Sequence, residues 1–463
     1  MNKNLCMAAT LVATIASTSV HAISLNQRGL GQALVYPYYT VEKNQDTLIS
    51  VGNASDVGKV AKVVILEGRN GRPGLYFNLF LAPNDVWTAR LSQVAGEVAP
   101  RIFTADASCT LPPTVQSAEG IPLRSAAYAE PAAPLFPVDG GPTGLERTRE
   151  GMLMIVAMGD VVAGSPLALA IEHDASGVPA CGAPTAIGSF TAEDLDPPGN
   201  DLYGTGTIVN VGEGTFFGYD ADALADMTDV AIDRLDTPNQ LPPLFDTVHS
   251  AGLAAGRAVA HVSRNDGATV ALEYPGAVAA SAVFMAESIL NSYLVAPGLG
   301  AATDWVVTFP TRAHHVDPLY TNAVIGPFVE PAVAGQSTVT VDARVRDQAQ
   351  GSSGTPVELQ LANQVNVVSV RAATATDAPS GVLGSSLAVN VAPRGDAGWI
   401  RLDLAGGDGR HALPPATDGT VVRGLPVTGF MVYNIINSNA APGRLANYGG
   451  TFAHRSSYAE AVE

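Results

Sequence analysis

The chain has 463 residues and a formal net charge of −18, with only 15% charged residues against 47 glycines and 32 prolines. The length provides for two or three domains with sizeable cores. The acidity, spread along the chain rather than gathered in a tail, excludes a partner bound through nucleic acid phosphates or anionic lipid, and the low charge with abundant Gly and Pro points to short strands and turns rather than long charged helices.

Met1 to Ala22 reads as a secretory signal peptide. Lys3 supplies a positive start, Leu5 to Ala16 an apolar middle, and Val20-His21-Ala22 a small-x-small cleavage site, so cleavage is expected after Ala22. The apolar run is too short to span a bilayer. Cys6 lies near the start of that run and not at the cleavage point, so no lipid anchor is expected. Cys109 and Cys181 then remain as the only cysteines, and export predicts that they pair. Such a bridge closes a loop of about 70 residues, worth about 4 kcal/mol in the chain-entropy account.

The first patterned region holds five short runs rich in β-branched and aromatic residues: Leu34 to Tyr39, Thr47 to Val51, Val60 to Leu66, Leu75 to Leu81 and Val86 to Leu91. Turn formers such as Asn70-Gly71-Arg72-Pro73 separate them, which predicts an antiparallel meander, the raw material of a β-sandwich. Residues 110 to 150 are broken by prolines and read as a long loop inside the predicted disulfide ring. Strands are expected again at Met152 to Met158, Leu167 to Ile171, Gly206 to Val211 and Thr215 to Tyr219.

Asp222, Asp226, Asp229, Asp233 and Asp236 recur at helical spacing, with Leu224, Met227, Ala231 and Leu235 opposite, so an amphipathic helix is predicted near 220 to 236. Its carboxylates lack the loop spacing that wraps calcium and read as a solvated face. A second helix is predicted from Ala279 to Leu294, with Val283, Ala286, Ile289, Leu290 and Tyr293 as its buried stripe. Trp305 to Phe309 resumes strand character. A domain border is expected at 326, after which Thr338 to Val345, Val357 to Leu361, Val365 to Val370, Leu387 to Val391, Trp399 to Leu404 and Phe430 to Ile436 read as strands. The expected fold class is therefore mainly β: two antiparallel, immunoglobulin-like sandwich domains, 23 to 325 and 326 to 463, with two short helices. No fixed-period repeat supports a solenoid.

Catalytic motifs are sparse. The chain has no G-x-S-x-G, H-E-x-x-H, paired C-x-x-C or G-x-x-x-x-G-K pattern, so no catalytic residue and no cofactor is expected. Gly351-Ser352-Ser353-Gly354 reads as a hairpin loop. His314, His315 and Asp317 form the best titratable cluster; in a strand, His315 and Asp317 would share a face and are the metal-ligand candidates. His173-Asp174 and Asp246 with His249 read as turn or capping pairs, and Arg69 and Arg72 as a solvated hairpin tip. Tyr36, Tyr38 and Tyr39 beside Pro37 are candidate sugar-binding aromatics, with edge packing as their ordinary role.

Several stretches carry a resemblance: GLGQALVYPYYT, DTLISVGNASD, KVVILEGRNGRPGLYFNLFLAPNDVWTA, EYPGAVAASAVFMAESILNSYL, TDWVVTFPTR, GLPVTGF and GRLANYGGTFAHR. Together they resemble an uncharacterised family of exported proteobacterial proteins, often labelled cell-surface or surface-layer proteins. The resemblance implies export and β-architecture but no catalytic residues. It also implies a second cysteine pair in relatives, and the segment from Pro331 to Val370 has none.

The resulting expectation is an envelope or surface protein acting by contact with envelope components or with itself, without a transmembrane helix in the mature chain. The alternatives are a carbohydrate-binding or carbohydrate-cleaving sandwich and an outer-membrane barrel. The polar, acidic end at 456 to 463 and an aromatic content of 6% argue against the barrel.

Overall fold

A computed structural model describes residues 22–129, 138–181, 187–188, 190–232, 257–349, 354–371, 379–437 and 441–458. The signal segment before Ala22, Asp233, Leu235, Asp236, the Asp246/His249 pair, most of the Gly351 to Gly354 run and the last five residues lie outside them.

The architecture is mainly β. A ten-stranded sheet follows the order Thr269–Pro275, Arg257–Ser263, Ala22–Leu25, Asp222–Ala225, Ala33–Thr40, Glu150–Val161, Lys59–Glu67, Pro73–Leu81 and Thr110–Leu111, with Leu195–Asp196 pairing off Glu150–Val161. A six-stranded sheet runs Thr215–Asp220, Leu202–Asn210, Asp46–Asn53, Val86–Gln93, Pro100–Phe103 and Ile121–Pro122. Trp87, Leu91 and Ile102 of the smaller sheet share one core with Leu34, Val63 and Ile155 of the larger, which makes the pair a sandwich.

Two five-stranded sheets form the second sandwich. One contains Val357–Leu361, Val339–Asp347, Ala397–Asp403, Ser288–Leu294 and Arg455–Ser457; the other contains Ala388–Val391, Val365–Val370, Ala301–Thr308, Phe430–Ile435 and Tyr448–Ala453. Their shared core joins Tyr293, Val341 and Ile400 to Trp305, Val368 and Met431. Ser288–Leu294 and Ala301–Thr308 thus enter these sheets although they precede position 326. Among the described strands no sheet closes into a barrel, and no described helix is long and apolar enough to cross a membrane.

Burial explains which strands read clearly. Glu150–Val161 is flanked on both sides and covered on both faces, so its run MLMIVAM is continuously apolar. Leu202–Asn210 and Thr215–Asp220 alternate buried and outward residues, because the six-stranded sheet keeps one face open.

Four local expectations are corrected. The five strands between 33 and 93 are not a meander: only Lys59–Glu67 and Pro73–Leu81 are hairpin neighbours, while Asp46–Asn53 and Val86–Gln93 pair in the opposite sheet, so the turns cross the sandwich. Leu167 to Ile171 is helical, within Pro166–Ile171, because Ser165 Oγ accepts from Ala168 N at 3.1 Å and proline occupies the first turn.

The helix expected near 220 is a strand, Asp222–Ala225, held between Ala22–Leu25 and Ala33–Thr40. Asp226 follows with φ of 56°, a left-handed turn bonded to Asn200, which no helix accommodates. The second expected helix stops early, at Gly276–Val283, and Ser288–Leu294 is a strand. Ile289 and Tyr293 lie four residues apart, a spacing that puts them on one face in either geometry, and pairing with Ala397–Asp403 decides for the strand.

The two sandwiches are locked together by buried polar contacts. Glu150 accepts from Tyr38 Oη at 2.9 Å, Ser385 Oγ at 2.5 Å, Ser386 N at 2.8 Å and Ser386 Oγ at 2.6 Å. Asp304 in turn accepts from Val382 N at 2.8 Å and Leu383 N at 2.9 Å, so the same loop is held from both sides.

Candidate functional site

The sequence-marked residues are mostly structural. Tyr36, Tyr38 and Tyr39 are no more than 1% exposed, and their hydroxyls donate to Ser50 O, Glu150 and Thr148 O. Burial pushes all three phenols well above their ordinary pKa. No sugar can reach them, which corrects their candidacy: the strand Ala33–Thr40 is interior, covered on both faces, rather than an edge.

Asp317 and His315 do not join as metal ligands. They sit at the end of a short helix, Arg312–Val316, rather than in a strand. The Asp317 carboxylate is filled by Arg72, through Nε at 2.7 Å and Nη2 at 2.7 Å, by Asn70 Nδ2 at 2.5 Å and by Leu319 N at 2.8 Å. Arg72, expected at a solvated tip, is 1% exposed and also bonds Ala127 O. The hairpin tip is folded into the junction because its own turn wraps Glu67, which accepts from the backbone N–H groups of Arg69, Asn70 and Arg72. Among the described residues no group of three His, Cys, Asp or Glu side chains is placed to hold a metal ion.

Asp174 caps a turn, accepting from Ser176 N at 2.8 Å and Val178 N at 3.1 Å, while His173 Nε2 approaches Asp85 at 3.5 Å. Cys109 and Cys181 are joined, with Sγ–Sγ 1.97 Å.

One arrangement that no motif announced has the parts of a nucleophile and base. His315 Nε2 lies 2.6 Å from Ser281 Oγ and Nδ1 lies 3.2 Å from Ile325 O. Both side chains are at most 1% exposed. Burial lowers the His315 pKa to about 4, so the ring is neutral at physiological pH. The contact is a satisfied interior network. Replacing Ser281 by Ala is expected to cost about 1–3 kcal/mol in urea denaturation by leaving the imidazole short of a partner, and a serine-reactive phosphonate is expected to label neither protein.

The same ring makes a pH term of known sign. Below pH 6.5 the unfolded histidine takes a proton that the folded one refuses until about pH 4, so its contribution to stability is lost as pH falls through that window. A His315→Gln variant, compared with the parent by denaturation at pH 7 and pH 4.5, is expected to lose less stability between the two.

The open site lies elsewhere. A cleft of about 850 Å³ runs between the two sandwiches, bounded by Leu25 to Gly29, Tyr203 to Thr205 and Gly218 to Ala223 on one side and by Val427 to Phe430, Thr451, Ala453, His454, Ser456 and Tyr458 on the other. Pairing of Thr428 with Thr308 sets its far wall, and Thr428 Oγ1 donates to the Asp222 carboxylate across the cleft. Burial raises Asp222 to about 6, with the Thr428 bond opposing. Tyr219 stacks on Phe430 at 4.7 Å and donates to Tyr38 O. His454, beside Trp305, donates from Nε2 to Val306 O at 2.9 Å, and burial lowers it to about 4.

Tyr203 is the exposed aromatic of this cleft, 40% exposed. It is the cross-strand neighbour of Gly52, and its ring lies over that glycine: a Cβ there would stand 2.3 Å from Tyr203 Cζ. Glycine lets the ring lie flat on the sheet with its other face open. Neither Asp222 nor Tyr203 was singled out as a ligand group by sequence. Strand alternation places Tyr203 outward, but only the register reveals the glycine beneath it.

Comparisons with protein-family models, curated proteins and solved structures find no match to this chain.

Proposed function

We propose that this is an exported protein of the cell envelope or cell surface that acts by contact rather than catalysis, with envelope components or further copies of itself as partners. The observation that carries the reading is the layout of Met1 to Ala22: a positive start, an apolar middle too short to span a bilayer and a small-x-small exit at Val20-His21-Ala22. Removing the segment leaves Ile23, Ser24 and Leu25 to pair with the sheet. The joined cysteines fit an oxidising compartment, and the resemblance to surface-labelled exported proteins points the same way.

Fractionation of the source cells, with electron microscopy of intact cells, tests the reading. The mature chain is expected to start at Ile23, to migrate as an oxidised species, and to sediment with the envelope. An uncleaved cytoplasmic chain, or mature protein confined to the soluble periplasm, would remove it.

A further inference from the structure

We propose that the cleft between the sandwiches binds a short neutral saccharide, with one sugar ring stacked on the open face of Tyr203 and its hydroxyl groups held by Asp222 and the cleft hydroxyls. The proposal names a ligand class for the contact protein proposed above, and depends on that reading only for where the ligand is met.

Three features carry it. Size comes first: about 850 Å³ lies within the range of small-molecule sites, and the cleft sits between domains, where such sites concentrate. The second is the Tyr203 platform. A ring laid flat on glycine and half exposed presents an apolar face to the C–H face of a sugar, and the sheet beneath holds it without a rearrangement cost. The third is the polar complement. Asp220, Asp222, Thr205, Thr428, Ser456 and Tyr458 supply acceptors and hydroxyl donors to the same space. Two carboxylates against the single cation Arg28 disfavour a phosphate, sulfate or carboxylate ligand, while hydroxyl groups satisfy carboxylate acceptors well.

The acidic side of the cleft gives the binding a pH signature. The titratable groups facing it are Asp220, Asp222, Arg28, His454, Tyr203, Tyr219 and Tyr458. Of these, Asp222 is raised to about 6 and His454 is lowered to about 4, so between pH 7.5 and pH 5 Asp222 takes up a proton while His454 stays neutral. An ionised Asp222 accepts from ligand hydroxyl groups; a protonated one loses acceptor capacity.

Isothermal titration of the purified, oxidised mature chain with cellotriose, maltotriose and chitotriose, backed by saturation-transfer NMR, tests the proposal. At least one sugar is expected to bind at pH 7.5 and to bind ~10-fold more weakly at pH 5, because at one pH unit below the Asp222 pKa of about 6 only about one Asp222 in ten stays ionised. Tyr203→Ala is expected to weaken binding by ~10-fold, the loss of one stacked ring. Asp222→Asn keeps the shape and the bond to Thr428 and is expected to abolish the pH dependence. Unchanged circular dichroism and melting temperature certify both folds, and either variant alone is a sufficient test.

Absence of binding by all three sugars, binding that neither substitution alters, or binding of tri-alanine in place of every sugar overturns the proposal. Because the purified chain is used, these outcomes are independent of fractionation: envelope association without sugar binding removes only the saccharide, and sugar binding by a cytoplasmic chain removes only the export reading.

Discussion

Arg147→Met is expected to destabilise the protein by about 3–5 kcal/mol, measured as the shift of the urea midpoint, because it strands buried carboxylates. Arg147 reaches Glu67 through Nε at 2.7 Å and Nη2 at 2.9 Å, and Asp139 through Nη1 at 3.1 Å and Nη2 at 2.5 Å. Its guanidinium also lies 4.3 Å from the centre of the Tyr128 ring. The side chains of Arg147, Glu67 and Asp139 are at most 1% exposed, so water cannot replace the lost partner.

The titration behaviour agrees with a paired cluster. Burial opposes charge on Arg147, yet Glu67 and Asp139 raise its pKa overall; burial also pushes Asp139 up, and the Arg147 bonds more than offset it, leaving that carboxyl below its usual range. A double variant, Arg147→Met with Glu67→Gln, is expected to recover part of the loss, since it removes one of the stranded charges. A single variant as stable as the parent would show that the cluster contributes nothing net.

Replacing Cys109 and Cys181 together by alanine is expected to cost about 4 kcal/mol, read from denaturation of the variant beside the oxidised parent. The bridge spans 72 residues of sequence, a loop whose closure removes much freedom from the unfolded chain. It also ties in the central strand Glu150–Val161, and Cys109, 1% exposed, packs with Phe80, Met158, Leu167 and Ile171. Serine in place of Cys109 is expected to be worse than alanine, because a buried hydroxyl there adds a desolvation cost. Reduction of the parent is expected to lower its midpoint toward that of the double alanine variant; equal midpoints for oxidised and reduced parent would count against the bridge.

Much of the β-architecture was legible, for a physical reason. Leu34 to Tyr39, Val60 to Leu66 and Val365 to Val370 lie inside Ala33–Thr40, Lys59–Glu67 and Val365–Val370, where β-branched and aromatic runs are bounded by turn formers. Helical readings failed where spacing was ambiguous. Asp222 and Asp226 satisfy a helical period, but sheet pairing on two sides and a left-handed Asp226 prevail over a weak local preference.

The sites were less legible because they are made by tertiary approach. Arg72 and Asp317 stand 245 residues apart in sequence, and nothing local to either announces the other. The cleft draws on segments near 25, 204, 220, 428 and 454, none of which carries a catalytic or ligand-binding motif. The Ser165-Pro166 helix start is the exception: its capping signal was present in the residues and outweighed by the apolar run that follows.

The strand Ala22–Leu25 has a kinetic consequence. Its two neighbours are Asp222–Ala225 and Arg257–Ser263, with Leu25 opposite Leu224 and Ile23 opposite Ala260, so this strand's nearer partner lies about 200 residues downstream. Ser288–Leu294 likewise waits for Ala397–Asp403 and Arg455–Ser457 at the far end. Such high contact order makes folding slow. Waiting of this kind lengthens the time for which apolar strands and unpaired sheet edges stay exposed, the condition under which partly folded chains aggregate.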